Sequence, residues 1–154
     1  YNSIPYTEAI VLRGFLAAHK GRAKSFDLML PVESYTVGDV TGSTPRATAL
    51  TPIGSNTLAI KDLSPNKTVR FAGEWLKVAG HTKAYMLTED LVSDGTGNAT
   101  ANFEPSLYEQ VLLNEQITID EIVFHVRSKT DMSKFNLKPG LNYSFQIDFV
   151  EVIR

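Results

Sequence analysis

Between Thr57 and Ile119 the chain is a succession of short strand-length runs separated by turn residues, and this spacing limits the available folds more than any other feature. The runs are Thr57–Asp62, Glu74–Ala79, Thr82–Thr88, Asn98–Phe103 and Gln116–Ile119. Ala79-Gly80-His81-Thr82 reads as a tight hairpin and Asp94-Gly95-Thr96-Gly97-Asn98 as a second reversal, because glycine reaches positive φ cheaply. Five short strands at this spacing predict a small barrel. With 43% apolar residues among 154, such a unit can bury a core without metals. Cysteine is absent, which excludes disulfides, thiolate metal sites and cysteine nucleophiles.

One segment carries a helical period. Leu12, Phe15, Leu16 and His19 fall on one face, with Pro5 tolerated in the first turn, Ser3 as N-cap and Gly21 as the stop. A strand follows, in which Phe26, Leu28 and Leu30 alternate with polar or flexible neighbours up to Pro31. From Tyr35 to Asn56 the texture changes to Gly, Thr, Ser and Pro, read as a linker with a loosely patterned strand at Arg46–Thr51. Two longer strands are predicted near the C-terminus, Ile122–Ser128 and Tyr143–Ile153, the latter after a Lys138-Pro139-Gly140 turn. In the last strand Phe145, Ile147 and Phe149 share a face.

The predicted organisation is nested. Residues 1–36 and 119–154 form an outer, incomplete β-sandwich with one helix, and residues 37–118 form an inserted OB-like barrel. Leu12, Phe15, Leu16 and Phe26, with Phe145, Ile147 and Phe149, are the expected core or assembly residues of the outer part. Phe71, Trp75, His81 and Tyr85 are the candidate surface residues of the barrel, with core packing as the competing reading for the aromatics.

The sequence holds no recognisable catalytic, cofactor or metal constellation, so neither an enzyme nor a cofactor protein is expected. His19, His81 and His125 lack ligand spacing. Gly38–Thr44 lacks the lysine of a phosphate loop. Asp94, Thr96 and Asn98 imitate half a calcium loop, but Pro105 stands where the bidentate carboxylate belongs. Glu89 and Asp90 read as a solvated strand end. Residues 35–116 contain six Lys or Arg against nine Asp or Glu, the wrong sign for tracking phosphates, although Lys67, Arg70 and Lys77 could form a local basic arc beside Phe71 and Trp75. No apolar run approaches the roughly 20 residues of a membrane helix, and Tyr1–Pro5 does not read as a signal peptide, so no membrane partner is expected.

Several stretches resemble distal tail proteins of long-tailed bacteriophages. They are Gly14–Phe26, running into a strand that ends at Pro31, and the aromatic strand Tyr143–Val152. Gly73–Thr88 is similar to a hairpin of phage tail proteins, and Asn98–Leu107 continues the pattern. The resemblance implies a virion protein of the tail, assembled in the host cytoplasm. It implies a ring of about six copies between the tail tube protein and the hub of the tail tip or baseplate. DNA would cross the lumen without specific binding. The family places further strands before the helix, where this sequence has none. The alternative is a barrel module that binds carbohydrate or a host surface, for which Phe71, Trp75 and Tyr85 would have to lie exposed together.

Overall fold

The computed structural model describes residues 4–129, 134–138 and 142–153, with side-chain surroundings for all of these except 4, 21, 134–138 and 142–146. In chain order the elements are β1 (Ile4–Pro5), α1 (Tyr6–Ala18), β2 (Ser25–Met29), β3 (Arg46–Ala47), β4 (Thr57–Lys61), β5 (Thr68–Arg70), β6 (Trp75–Val78), β7 (Ala84–Leu87), β8 (Leu91–Val92), β9 (Ala99–Glu104), β10 (Ile117–Thr118), β11 (Val123–Ser128), β12 (Lys134–Lys138), β13 (Asn142–Gln146) and β14 (Phe149–Glu151). The protein is mainly β with one α-helix. It divides into two compact units, Leu28–Phe124 and the combination of Tyr1–Asp27 with His125–Arg154.

The first unit is a barrel. Its six antiparallel strands run in the order β10-β6-β7-β9-β4-β3. The two ends of that order meet, because Ile117 N–H donates to Pro45 O at 2.8 Å and Ala47 N–H to Glu115 O at 2.9 Å. Strands β6, β7 and β9 are successive neighbours and β10 returns beside β6, which is the Greek-key arrangement. The sixth strand, β3, coincides with the start of the loosely patterned strand expected at Arg46–Thr51. Two residues are enough for it because Arg46 pairs with both Lys61 and Gln116.

Strand periodicity builds the core. Leu58 and Ile60 of β4, Leu76 and Val78 of β6, Tyr85 and Leu87 of β7, and Ala101 and Phe103 of β9 all point inward and are buried. Ala47, Ile117, Val111 and Leu107 close the two ends of the same cluster. The small side chains of Ala47 and Ala101 leave room for the rings of Tyr85 and Phe103, whose centroids lie 5.2 Å apart. The β6–β7 hairpin has the expected turn, with Gly80 at φ 84°.

The stretch 36–44 is no loose linker. Asp39 N–H donates to Thr68 O at 3.0 Å and Thr44 N–H to Asp62 O at 2.9 Å, so this segment lies along β5 and its approach. Gly38 is required there, since a Cβ would come within 2.1 Å of Val69 O. The added pair β5–β8, which the sequence pattern does not reveal, continues from this contact.

The second unit contains two three-stranded sheets, β1-β13-β12 and β14-β11-β2. The expected strand Tyr143–Ile153 is two strands. β13 pairs with β12 and β14 with β11, and the chain changes partner at Ile147-Asp148, where Asp148 O accepts Lys129 N–H at 2.8 Å. Pleat alternation holds only within one ladder, so the single-strand spacing expected for Phe145, Ile147 and Phe149 does not apply across this change of sheet. Ile147 is half-buried and Phe149 exposed, while the surroundings of Phe145 lie outside the described residues.

The helix also differs from its sequence reading. Pro5, not Ser3, is the N-cap, and Ser3 lies outside the described residues, as do Pro139 and Gly140 of the expected turn. The helix stops at Ala18. His19 Nδ1 donates to Phe15 O at 2.9 Å, and Lys20, not Gly21, takes the left-handed conformation. Of the expected face, Leu12, Leu16 and His19 are half-buried and Phe15 is 41% exposed. Ala9 is the buried residue of this helix. Phe15 still contacts Phe26, centroid to centroid 5.0 Å, and Phe26 contacts Phe149 at 5.6 Å.

Gly97 gives a direct test of the barrel's tight turns. It has φ 79° and a Cβ there would lie 2.3 Å from Leu63 O, whereas Gly54 has φ 85° and open space around it. Gly54→Ala is expected to cost about 1–2 kcal/mol, the left-handed penalty alone, and Gly97→Ala to cost more. Urea unfolding of both variants checks this, and equal midpoints would contradict the packing described.

Candidate functional site

The barrel's neck is held by a charged network that starts from Arg70. The β5 backbone carries Val69 and Arg70 inward together, and Arg70 is fully buried. Its Nε donates to Ile119 O and its Nη1 to Tyr35 O at 3.3 Å. Glu74, one reversal later, faces Arg70 Nη1 at 3.6 Å. The Glu74 carboxylate also accepts Val37 N–H at 2.9 Å, Phe71 N–H at 2.7 Å and the Thr36 hydroxyl at 3.1 Å. Asp120 accepts Thr36 N–H at 3.0 Å, and Ser34 O accepts Ile122 N–H at 2.8 Å. The two stretches that bound the barrel, 34–37 and 119–122, therefore lie side by side. Burial lowers the Arg70 pKa from its ordinary value, and the charges of Glu74 and Asp120 oppose that shift. One amino group, Nη2, is buried without a partner among the described residues.

The other cations of the suggested basic arc are also engaged. Lys67 pairs with Asp39 at 2.8 Å, and that hydrogen bond is the main cause of a lowered Asp39 pKa. Lys77 Nζ donates to Val123 O at 2.7 Å. With Arg70 inside the protein, Lys67, Arg70 and Lys77 do not make one exposed basic stripe. Asp94 Oδ1 accepts Thr96 N–H and the Thr96 hydroxyl, both at 2.8 Å, and Asn98 N–H at 2.9 Å. These bonds, led by that from Asn98, lower the Asp94 pKa and give the loop its turn. Among the described residues no group of three or more His, Asp or Glu is placed to hold a metal, and no helix is long and apolar enough to cross a membrane.

The four candidate surface residues of the barrel separate. Phe71 is 40% exposed. Trp75 is half-buried, stacks edge-on against Phe124 at 5.4 Å and donates from Nε1 to Glu33 Oε2 at 3.3 Å. Tyr85 is fully buried, because its position in β7 faces the core. His81, expected in an exposed turn, is only 6% exposed, with Nδ1 3.4 Å from the Tyr85 hydroxyl. The three aromatics thus form no common platform. In the second unit, Asp27 Oδ1 lies 2.8 Å from His125 Nδ1, while His125 Nε2 is buried without a partner among the described residues.

The structure adds a cleft with no sequence signal. It has a volume of about 290 Å³ and lies between the β6–β7 turn and the 118–123 segment. Lys77, His81, Thr118 and Glu121 supply its polar lining. Glu121 is a non-glycine residue at φ 52°, a conformation that neither its spacing nor its neighbours betray.

No protein-family model matches this chain, and no curated protein matches it.

Arg70→Met is expected to destabilise the protein by about 3–5 kcal/mol, the cost of breaking a buried charge pair from one side. The Arg70→Met/Glu74→Gln double variant should lose less than the sum of the two single losses, since fewer charges are then left unpaired. Denaturant unfolding measures both. An Arg70→Met loss below about 0.5 kcal/mol, the range of ordinary surface substitutions, would remove the neck network from the account.

Proposed function

We propose that this chain is a structural subunit of a bacteriophage tail, of the distal-tail kind, that assembles with copies of itself into a ring and carries its barrel as an appended module. The carrying observation is a helix that leaves several of its large apolar side chains open to solvent. The barrel unit has its own core of sixteen buried residues. The helix of the other unit buries Ala9 and exposes Tyr6, Ile10, Val11 and Phe15, with Val11 72% accessible. Phe149, Val150 and Ile153 of the same unit are exposed as well. Solvated apolar side chains gathered in one region mark an interaction surface, and short open sheets add strand edges for pairing with another chain.

The resemblance of Gly14–Phe26 and Tyr143–Val152 to distal tail proteins supplies the assembly: a ring of about six copies, with the tail tube protein and the hub of the tail tip or baseplate as neighbours. Its role is assembly and passage of DNA, with no bond chemistry. A net charge of −2 supports that passage, because a mildly acidic wall does not retain DNA. This reading makes it a virion protein, put together in the host cytoplasm.

Electron microscopy of virions carrying a label on this chain tests the place, with label expected at the distal end of the tail tube. Val11→Asp tests the surface. The isolated chain should keep its melting temperature within the shift that about 0.5 kcal/mol produces, as for a surface site, and ring formation should be lost. Rings that form undiminished from Val11→Asp, or label along the capsid, would overturn the proposal.

A further inference from the structure

The cleft of the barrel unit combines three features that the barrel itself does not need. First, His81 is nearly buried, and its described contacts are the Tyr85 hydroxyl at Nδ1 and an edge-on ring contact with the same Tyr85, centroids 6.3 Å apart. Tyr85 is fixed in turn, since its hydroxyl accepts Tyr108 N–H at 3.3 Å. The imidazole is therefore held by one nitrogen, and its second nitrogen has no partner among the described residues, although the ring lines the cleft. Second, Glu121 lines the same cleft, is exposed, and makes no hydrogen bond or ion pair with a described residue. Third, it does so at φ 52°. Of the five non-glycine residues at positive φ among the described residues, three are Asn or Asp, which tolerate that region, and Glu121 is not of that type. Backbone strain that persists beside unpaired polar groups is characteristic of binding sites.

We propose that this cleft binds a neutral polyhydroxyl ligand the size of one sugar ring. Charge selects the class. Lys77, anchored on Val123 O, places an ammonium group in the lining, and Glu121 places a carboxylate there. A simple anion would meet Glu121, and a simple cation would meet Lys77. A hydroxyl group both donates and accepts, so a polyol satisfies the two without net charge. The two oxygens of the Glu121 carboxylate suit adjacent hydroxyls, and the second His81 nitrogen and the Thr118 hydroxyl can each serve either role. Val78, Ala79 and Val123 supply apolar wall for the C–H faces of a ring. The volume, about 290 Å³, lies at the small end of ligand pockets.

The test is an NMR titration of the full chain with glucose, galactose and N-acetylglucosamine. Sodium acetate and methylammonium chloride at matched ionic strength serve as charged controls. At least one sugar is expected to shift the amide signals of Gly80, His81 and Glu121 saturably, and neither ion should. Glu121→Gly removes the carboxylate and the strain together. It should weaken binding about tenfold or more, a difference of 1.4 kcal/mol, while the unfolding midpoint stays level or rises. His81→Gln retains a polar group in the ring's place and should also weaken binding. Three outcomes overturn the proposal: no saturable shift with any of the three sugars, unchanged affinity in Glu121→Gly, or saturation by acetate or methylammonium instead. Ring assembly of Glu121→Gly should be undisturbed, which separates failure here from failure of the tail reading.

Discussion

The buried guanidinium of Arg70 is the constraint from which the barrel's placement in the chain follows. A charge out of water must be met by partners, and the partners here are carbonyls of two stretches far apart in sequence, Tyr35 and Ile119. Glu74 and Asp120 fix the same stretches through Thr36 and Val37. The barrel could close by its own strand ladder. Its two crossing segments cannot separate without stranding these charges. An inserted module needs its ends together, and in this protein a polar network inside the module brings them together.

The outer region has the opposite character. Its described elements are short sheets and a helix that leaves Tyr6, Ile10, Val11 and Phe15 exposed. The aromatic chain from Phe15 through Phe26 to Phe149 gives it some cohesion, with centroid separations of 5.0 and 5.6 Å. Tertiary packing, not intrinsic propensity, supplies most of the stability of a helix in a protein. In the proposed ring, neighbouring copies would supply part of that packing to this helix. The barrel unit, with its sixteen-residue core, has no such requirement.

Much of this was legible in the sequence where a local rule decides it. Alternation located the barrel strands around Leu58, Leu76, Leu87 and Phe103, and glycine located the turn at Gly80. The helix was found from Leu12, Phe15 and Leu16, but not its exposure, because periodicity shows that a face exists and not what covers it. Four features escaped for physical reasons. The extent of strand β3, expected as Arg46–Thr51, escaped because its neighbours and not its pattern limit it to two residues. The strand break at Ile147-Asp148 is hidden because the aromatic alternation runs across a change of sheet. Arg70 reads as a surface cation, since burial of a charge depends on partners at Tyr35 and Ile119 that no local window contains. The cleft depends on Glu121, whose left-handed backbone has no marker such as glycine or asparagine, and on His81, whose burial follows from Tyr85 facing the core.

The proposed assembly requires that the barrel be complete in one chain and that the helix be completed by other copies. Amide hydrogen exchange of the purified chain across a range of protein concentrations tests it most directly. Protection of the amides of Ile60, Leu76, Leu87 and Phe103 should be high and independent of concentration, opening only with global unfolding. Amides of α1 should be weakly protected at low concentration and gain protection as the concentration rises. Protection of α1 equal to that of the barrel strands at every concentration would contradict the account.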